Sequence, residues 1–185
     1  MEIGRSSLGR PFRIRRAMPL VILIGASGSG KTTIARAIQD RHAESVDVFY
    51  FDRVGVPSVE QMIAEYGSAE GWQRAMTIAW MIKLAQPVKS GGRVLFEGQT
   101  RVSFLADGAS AAGGFSYLPV LVDCDDETRS KRLTVDREQA ELATEDMMNW
   151  ARYLRCEARR SRCEILDTSS LSLDESISYV MAKLR

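Results

Sequence analysis

Gly25-Ala26-Ser27-Gly28-Ser29-Gly30-Lys31-Thr32, preceded by Leu20-Val21-Ile22-Leu23-Ile24 and followed by Thr33-Ile34-Ala35-Arg36-Ala37-Ile38-Gln39, decides the reading of this chain. The octapeptide is a complete G-x-x-x-x-G-K-T phosphate-binding loop. The five apolar residues before it have the length of a buried strand. The good helix formers after it, with Ile34, Ala35 and Ile38 apolar, predict a helix. Strand, glycine-rich turn and helix form the context in which the motif carries meaning. The glycines let the backbone curl with its N–H groups inward, at the positive end of a helix dipole. In that geometry Lys31 reaches the β- and γ-phosphates of a nucleoside triphosphate, and the Thr32 hydroxyl holds Mg²⁺. Residues 25–33 are the expected triphosphate site.

The length of 185 residues suits one domain with a sizeable core, and 45% hydrophobic with 26% charged residues is ordinary for a soluble chain. The longest apolar runs are strand-sized, too short to span a bilayer. Cys124, Cys156 and Cys163 form an odd set without C-x-x-C spacing. They read as free thiols in a reducing compartment, which points to the cytoplasm. His42 is the only histidine, which argues against His-rich metal sites and a Ser-His-Asp triad. Residues 1–17 carry five arginines against one glutamate, which leaves the rest of the chain at −3. That leader reads as a disordered basic segment ahead of an opening at Met18. A transit peptide or a basic arm would want an apolar or amphipathic stripe that it lacks. The body shows no strong electrostatic signal for nucleic acid.

Outward from the loop, Val46 to Phe51 predicts a second strand ending at Asp52, ahead of Arg53-Val54-Gly55-Val56-Pro57. Ligands of open parallel sheets bind beyond the carboxyl ends of the strands, so Asp52 falls on the active edge. Its alternative is a loop-opening aspartate bonded to its own backbone. Arg93 to Phe96 predicts the third strand, closing on Glu97-Gly98-Gln99-Thr100-Arg101. An acid at the end of an apolar strand has the form of a Walker B element, so Glu97 is the expected partner of Thr32 at Mg²⁺. Arg101 supplies a fork suited to phosphate or carboxylate. The rival acid, Asp123, ends a fourth strand over Leu118–Val122, where Pro119 marks a start or an edge. It is set aside because Cys-Asp-Asp-Glu-Thr after it reads as the capped entry to a helix.

Ser58-Val59-Glu60-Gln61 predicts a capping box, Gly67 a stop and Ser68 a second cap. Trp72, Ala75, Met76, Ala79 and Trp80 then form a helical stripe ending before Pro87. Residues 57–92 are thus two helices, placed to bind an acceptor. The Gly/Ala/Ser patch within 102–117 reads as a loop. Arg129, Lys131, Arg132 and Arg137 fall within nine positions, in a lid-like segment over 129–147 that would bring charge to a transferring phosphoryl group. Thr144 caps a helix with Met147, Trp150, Ala151, Leu154 and Ala158 on one side. The arginines at 152, 155, 159, 160 and 162 around it read as solvated or paired with acids. Glu164 to Leu166 is the fifth strand, leading to Asp167-Thr168-Ser169-Ser170, and Ser172 to Glu175 boxes the last helix.

Strands alternating with helices behind a phosphate-binding loop describe an α/β three-layer sandwich. Over residues 18–184 the layout resembles the small P-loop kinases: nucleotide monophosphate, shikimate, gluconate and adenylylsulfate kinases. The resemblance implies a five-stranded parallel sheet of order 2-3-1-4-5, an acceptor region between the second and third strands, and an arginine-bearing lid after the fourth. Glu97-Gly98-Gln99-Thr100-Arg101 is similar to the acid-glycine-x-x-arginine segment of adenylate kinases, which implies substrate binding by Gln99 and Arg101. Arg132 and Arg137 resemble that family's lid arginines, though five positions apart rather than four. The same likeness sets Thr168 and Ser169 near the adenine. The segment 52–57 matches none of these families' acceptor signatures.

The expectation is an ATP- and Mg²⁺-dependent transfer of the γ-phosphoryl group to a small-molecule acceptor, by a monomer or homodimer without membrane or nucleic-acid partners. Lys31, Arg132 and Arg137 would handle the phosphates, and Asp52 the acceptor hydroxyl. The alternatives are a nucleoside or nucleotide kinase, a polynucleotide 5′-kinase (disfavoured by the −3 body), and an ATP-gated binding module with slow hydrolysis.

Overall fold

Leu20–Ile24 alternates perfectly, and that alternation builds the layers. In the computed structural model, which describes residues 18–184, Leu20, Ile22 and Ile24 face one core and Val21 and Leu23 the other. All five are fully buried, as a central strand covered on both faces must be. The basic leader expected over 1–17 lies outside the described residues.

The parallel sheet comprises β1 (Leu20–Ile24), β2 (Asp47–Tyr50), β3 (Val94–Gly98), β4 (Leu118–Asp123) and β5 (Glu164–Asp167), in the order β2-β3-β1-β4-β5. α1 (Lys31–His42) and α7 (Leu173–Lys183) cover one face, burying Ile34, Ile38, Ile177 and Val180 against Val21, Leu23, Leu95 and Val122. α3 (Ala69–Lys89), α4 (Val102–Ala111) and α6 (Glu145–Arg160) cover the other, where Trp72, Trp80, Leu84, Leu105 and Leu154 pack on Ile22, Phe96 and Leu121. α2 (Val59–Tyr66) precedes α3, and α5 (Asp126–Lys131) follows β4. The predicted caps form: Ser58–Gln61 and Ser172–Glu175 are full capping boxes, and Ser68 and Thr144 cap α3 and α6. Among the described residues no helix is long and apolar enough to cross a membrane.

Three local expectations are corrected. Residues 102–111 are helix rather than loop. Gly108 is buried where α4 meets α3, and a Cβ there would stand 2.7 Å from that of Met81; the small residues allow close packing of two helices. α3 runs past Pro87 to Lys89, because a proline in the last turn forfeits only one backbone bond. Its buried side includes Thr77 and Met81, while Ala79 is exposed. Of the two readings of Pro119 the structure has the strand start: it is the second residue of β4, opposite Ile22, and β4 is flanked by β1 and β5.

Candidate functional site

A cleft of about 380 Å³ opens at the carboxyl ends of β1 and β4, between the loop before α1 and the segment after β5. Gly28, Gly30, Lys31, Thr32 and Thr33 form its floor, and Arg132, Arg137 and Thr168 form one wall. Gly25, Ala26, Ser27 and Ser29 belong to the loop without lining the cleft; Ser29 is fully buried and its hydroxyl has no hydrogen-bond partner.

The acid at the end of β3 meets the start of α1. The Thr32 hydroxyl donates to Glu97 Oε1 at 2.9 Å, and Lys31 Nζ lies 3.5 Å from the same oxygen. Both partners of that ion pair are buried, so the amine is held in a site of low dielectric, where charge interactions are strong. Asp123 is differently placed. Arg129 Nη2 donates to its Oδ1 at 2.7 Å and Arg155 Nε to its Oδ2 at 2.5 Å. With both oxygens taken by guanidinium groups, Asp123 is a structural hub. Of the two acids, Glu97 has the surroundings suited to a hard cation: a hydroxyl, a carboxylate and the loop beside it.

The lid-like segment divides. Arg129, grouped with the lid by sequence, is fully buried beneath the loop, because its side chain pairs inward with Asp123. Arg132 and Arg137 both line the cleft. Their five-residue spacing is absorbed by a π turn, Arg132–Asp136, in which the Arg137 N–H donates to the Arg132 carbonyl at 3.1 Å. A π turn is one residue wider than an α turn, so residues five apart share a face. Arg132 clasps Thr168 with two bonds of 2.8 Å, to hydroxyl and carbonyl, and the Thr168 hydroxyl donates to the Ser29 carbonyl at 2.9 Å. Ser169 does not line the cleft. Its hydroxyl donates to Asp167 and accepts from the Asp125 N–H. Asp167 is held below its ordinary range by the Ser169 hydroxyl, and Asp125 by the Thr128 N–H, so both remain carboxylates that brace this wall.

The acceptor-side residues stand on the same sheet edge, outside this cleft. Phe51 is buried against Trp72 and Phe96, and its carbonyl accepts from Trp80 Nε1. That anchor leaves Asp52 exposed on the 3₁₀ turn Phe51–Val54, two residues past Tyr50, which pairs with Glu97. The Gln99 carbonyl accepts from Gln73 of α3 at 2.8 Å, and its side chain lies 3.5 Å from the Ser27 hydroxyl. Arg101 is engaged already: Nη1 donates to Glu70 at 2.8 Å and to the Tyr153 hydroxyl at 3.3 Å, and the guanidinium lies 4.9 to 5.6 Å from the rings of Tyr153, Phe104 and Trp150.

Sequence reading missed Arg36, Asp136, Leu171 and Leu173, which also line the cleft. Leu173, the first residue of capped α7, stays 37% exposed with Leu171, and the two give the cleft an apolar wall. The capping box just before it was the available signal.

A family model described as an AAA domain matches residues 21–167. No curated protein matches the chain. Among solved structures, a sugar kinase from Janibacter sp. superposes with a TM-score of 0.63 at 16% identity, over 89% of this chain and 93% of that one. A shikimate kinase from Acinetobacter baumannii, in complex with shikimate, gives 0.58 at 15% identity over 89% and 91%. A deoxyadenosine kinase from M. mycoides with bound dATP gives 0.58 at 15% identity over 89% and 98%. At these identities the likeness establishes the fold, the α/β sandwich of P-loop kinases.

Proposed function

The chain belongs to the AAA domain family, and from that premise we propose that it transfers the γ-phosphoryl group of MgATP to a hydroxyl of a small-molecule acceptor. The observation that carries this reading is the convergence of Lys31, Arg132 and Arg137 on one cleft, with Glu97 fixed against Lys31 and Thr32. A triphosphate needs donors along its length, and a transferring phosphoryl group needs cations that follow its charge.

Thr32 and Glu97 offer the hard oxygen donors that suit Mg²⁺ and would hold it. When bound, the ion neutralises charge on the β- and γ-oxygens. The inward N–H groups of the loop bind the β-phosphate region, and Lys31 bridges toward the γ-phosphate. Arg132 and Arg137 neutralise the equatorial oxygens. The acceptor oxygen forms its bond to the γ-phosphorus as the bond to the β–γ bridging oxygen breaks, and ADP leaves. Asp52 takes the acceptor's proton, a role that its place on the sheet edge supports. Residues 57–92 contribute the acceptor-side walls.

Within this reading, a nucleoside or nucleotide acceptor is favoured by one specific feature, the stacked Trp150–Tyr153 pair beside Arg101. The test is ADP release from MgATP with nucleosides, nucleotides, sugars, sugar acids, aminoglycosides and pantothenate-like alcohols. Release raised well above the acceptor-free rate supports the kinase and names the class. Slow hydrolysis indifferent to every compound supports an ATP-gated binding module instead.

A further inference from the structure

Four successive carbonyls of the phosphate-binding loop are engaged as hydrogen-bond acceptors. The Ala26 carbonyl accepts from the Ser29 N–H at 3.3 Å, and the Gly28 carbonyl from the Cys124 thiol at 3.6 Å. The Ser29 carbonyl accepts from the Thr168 hydroxyl at 2.9 Å. The Ser27 carbonyl accepts from Arg129 Nη1 at 2.8 Å, much shorter than the contacts of 3.5 and 3.4 Å that Arg132 Nη1 makes with the Gly28 and Ser29 carbonyls. A carbonyl engaged in this way is turned from the phosphates, and the loop N–H groups other than that of Ser29 are left to face them.

We infer that Arg129 is the positioning residue of this loop. It acts through the Ser27 carbonyl and is itself held through Asp123 by Arg155 of α6. Its fork spans two targets that a single ammonium cannot reach together, Ser27 and Asp123. It also supports the loop sterically. Gly28 has φ +78°, and a Cβ there would stand 3.0 Å from Arg129 Cγ and from Leu133 Cγ. A fully buried arginine is rare unless paired, and Arg129 is paired through Nη1 and Nη2 while its Nε has no hydrogen-bond partner. Arg129, Asp123 and Arg155 together carry one positive charge in excess, directly behind a loop built for anions. Arg155 does not line the nucleotide cleft; it reaches the loop only at second hand, through Asp123 and through the Cys124 carbonyl, to which its Nη2 donates at 3.2 Å.

This inference rests on residues 25–32 being the nucleotide site, and the experiment separates the two. ATP binding is measured by titration calorimetry, with and without Mg²⁺, on the full chain and on Arg129→Lys, Arg155→Gln and Arg152→Gln. Arg152, on the exposed side of α6, pairs with Asp126 of α5 and serves as the control. Losing one charge-assisted bond to the loop should weaken ATP binding about tenfold in Arg129→Lys, equally with and without Mg²⁺. Arg155→Gln should weaken it about threefold, and Arg152→Gln should leave it unchanged. Unchanged affinity in folded Arg129→Lys overturns the inference, as does an equal loss in Arg152→Gln. If Arg129→Lys does not fold, Arg155→Gln decides: weakened binding in the folded variant supports the relay, and unchanged binding overturns it. Failure of the unaltered chain to bind ATP overturns the nucleotide reading and this inference with it.

Discussion

Thr32 and Glu97 lie 65 positions apart in the chain and meet at 2.9 Å, hydroxyl to carboxylate, where β3 ends beside the start of α1. The pairing is a product of strand order: β1 and β3 are parallel neighbours, with Leu23 opposite Glu97. It distinguishes Glu97 from Asp123, whose two oxygens are bonded to arginines. Glu97→Gln keeps the shape and removes the charge. Metal-free ATP binding should stay within about threefold of the unaltered chain, Mg²⁺ should no longer alter it, and kcat should fall roughly a hundredfold or more. Mg²⁺ dependence preserved in that variant would assign the metal elsewhere.

The π turn makes a second prediction. Arg132 and Arg137 share the cleft because the turn between them is one residue wider than an α turn. Deleting the exposed Val135 should restore a four-residue α spacing and keep both arginines on one face. ATP affinity should then change by no more than about threefold, well under the full loss of a charged contact. Deletion that abolishes binding would mean the wider turn itself is needed.

Packing of α4 on α3 is tested at Gly108. Adding a methyl there forces the helices apart against Met81, and overpacking of this kind costs about 1–3 kcal/mol. For a chain of this size Gly108→Ala should lower Tm by roughly 2–4 °C per kcal/mol. An unchanged Tm would show that the α3–α4 contact yields without strain.

How much of this was legible follows a physical division. Local signals carried the strands, the caps and the phosphate-binding loop, because each depends on neighbours in sequence. The sheet order came with the family resemblance. The fates of the arginines were hidden. Arg129, Arg132 and Arg137 look alike in the chain, yet one is sealed under the loop by Asp123 and two face the cleft. Only tertiary partners separate them. Gly108 misled for a related reason: the residue that breaks an isolated helix is the one that lets two helices approach closely.

The thiols give a prediction that requires no substrate. Cys124 and Cys163 are pushed up by burial, Cys163 to about 11, whereas Cys156 is exposed on α6. A raised pKa keeps the thiol protonated, and the thiolate is the reactive form. At pH 8, Ellman's reagent should therefore label Cys156 quickly and the other two only after denaturation. Rapid labelling of all three in the native chain would contradict the burial around β4 and β5.

Phosphoryl transfer and hydrolysis part ways in the fate of the γ-phosphorus, which an isotope label follows. The chain is incubated with Mg²⁺, ATP labelled at the γ-phosphate, and a small-molecule cell extract, beside a Lys31→Ala control. Label is expected in an organic phosphate that forms only with extract and that the control does not make. Label appearing solely as inorganic phosphate, at one rate with or without extract, would contradict phosphoryl transfer.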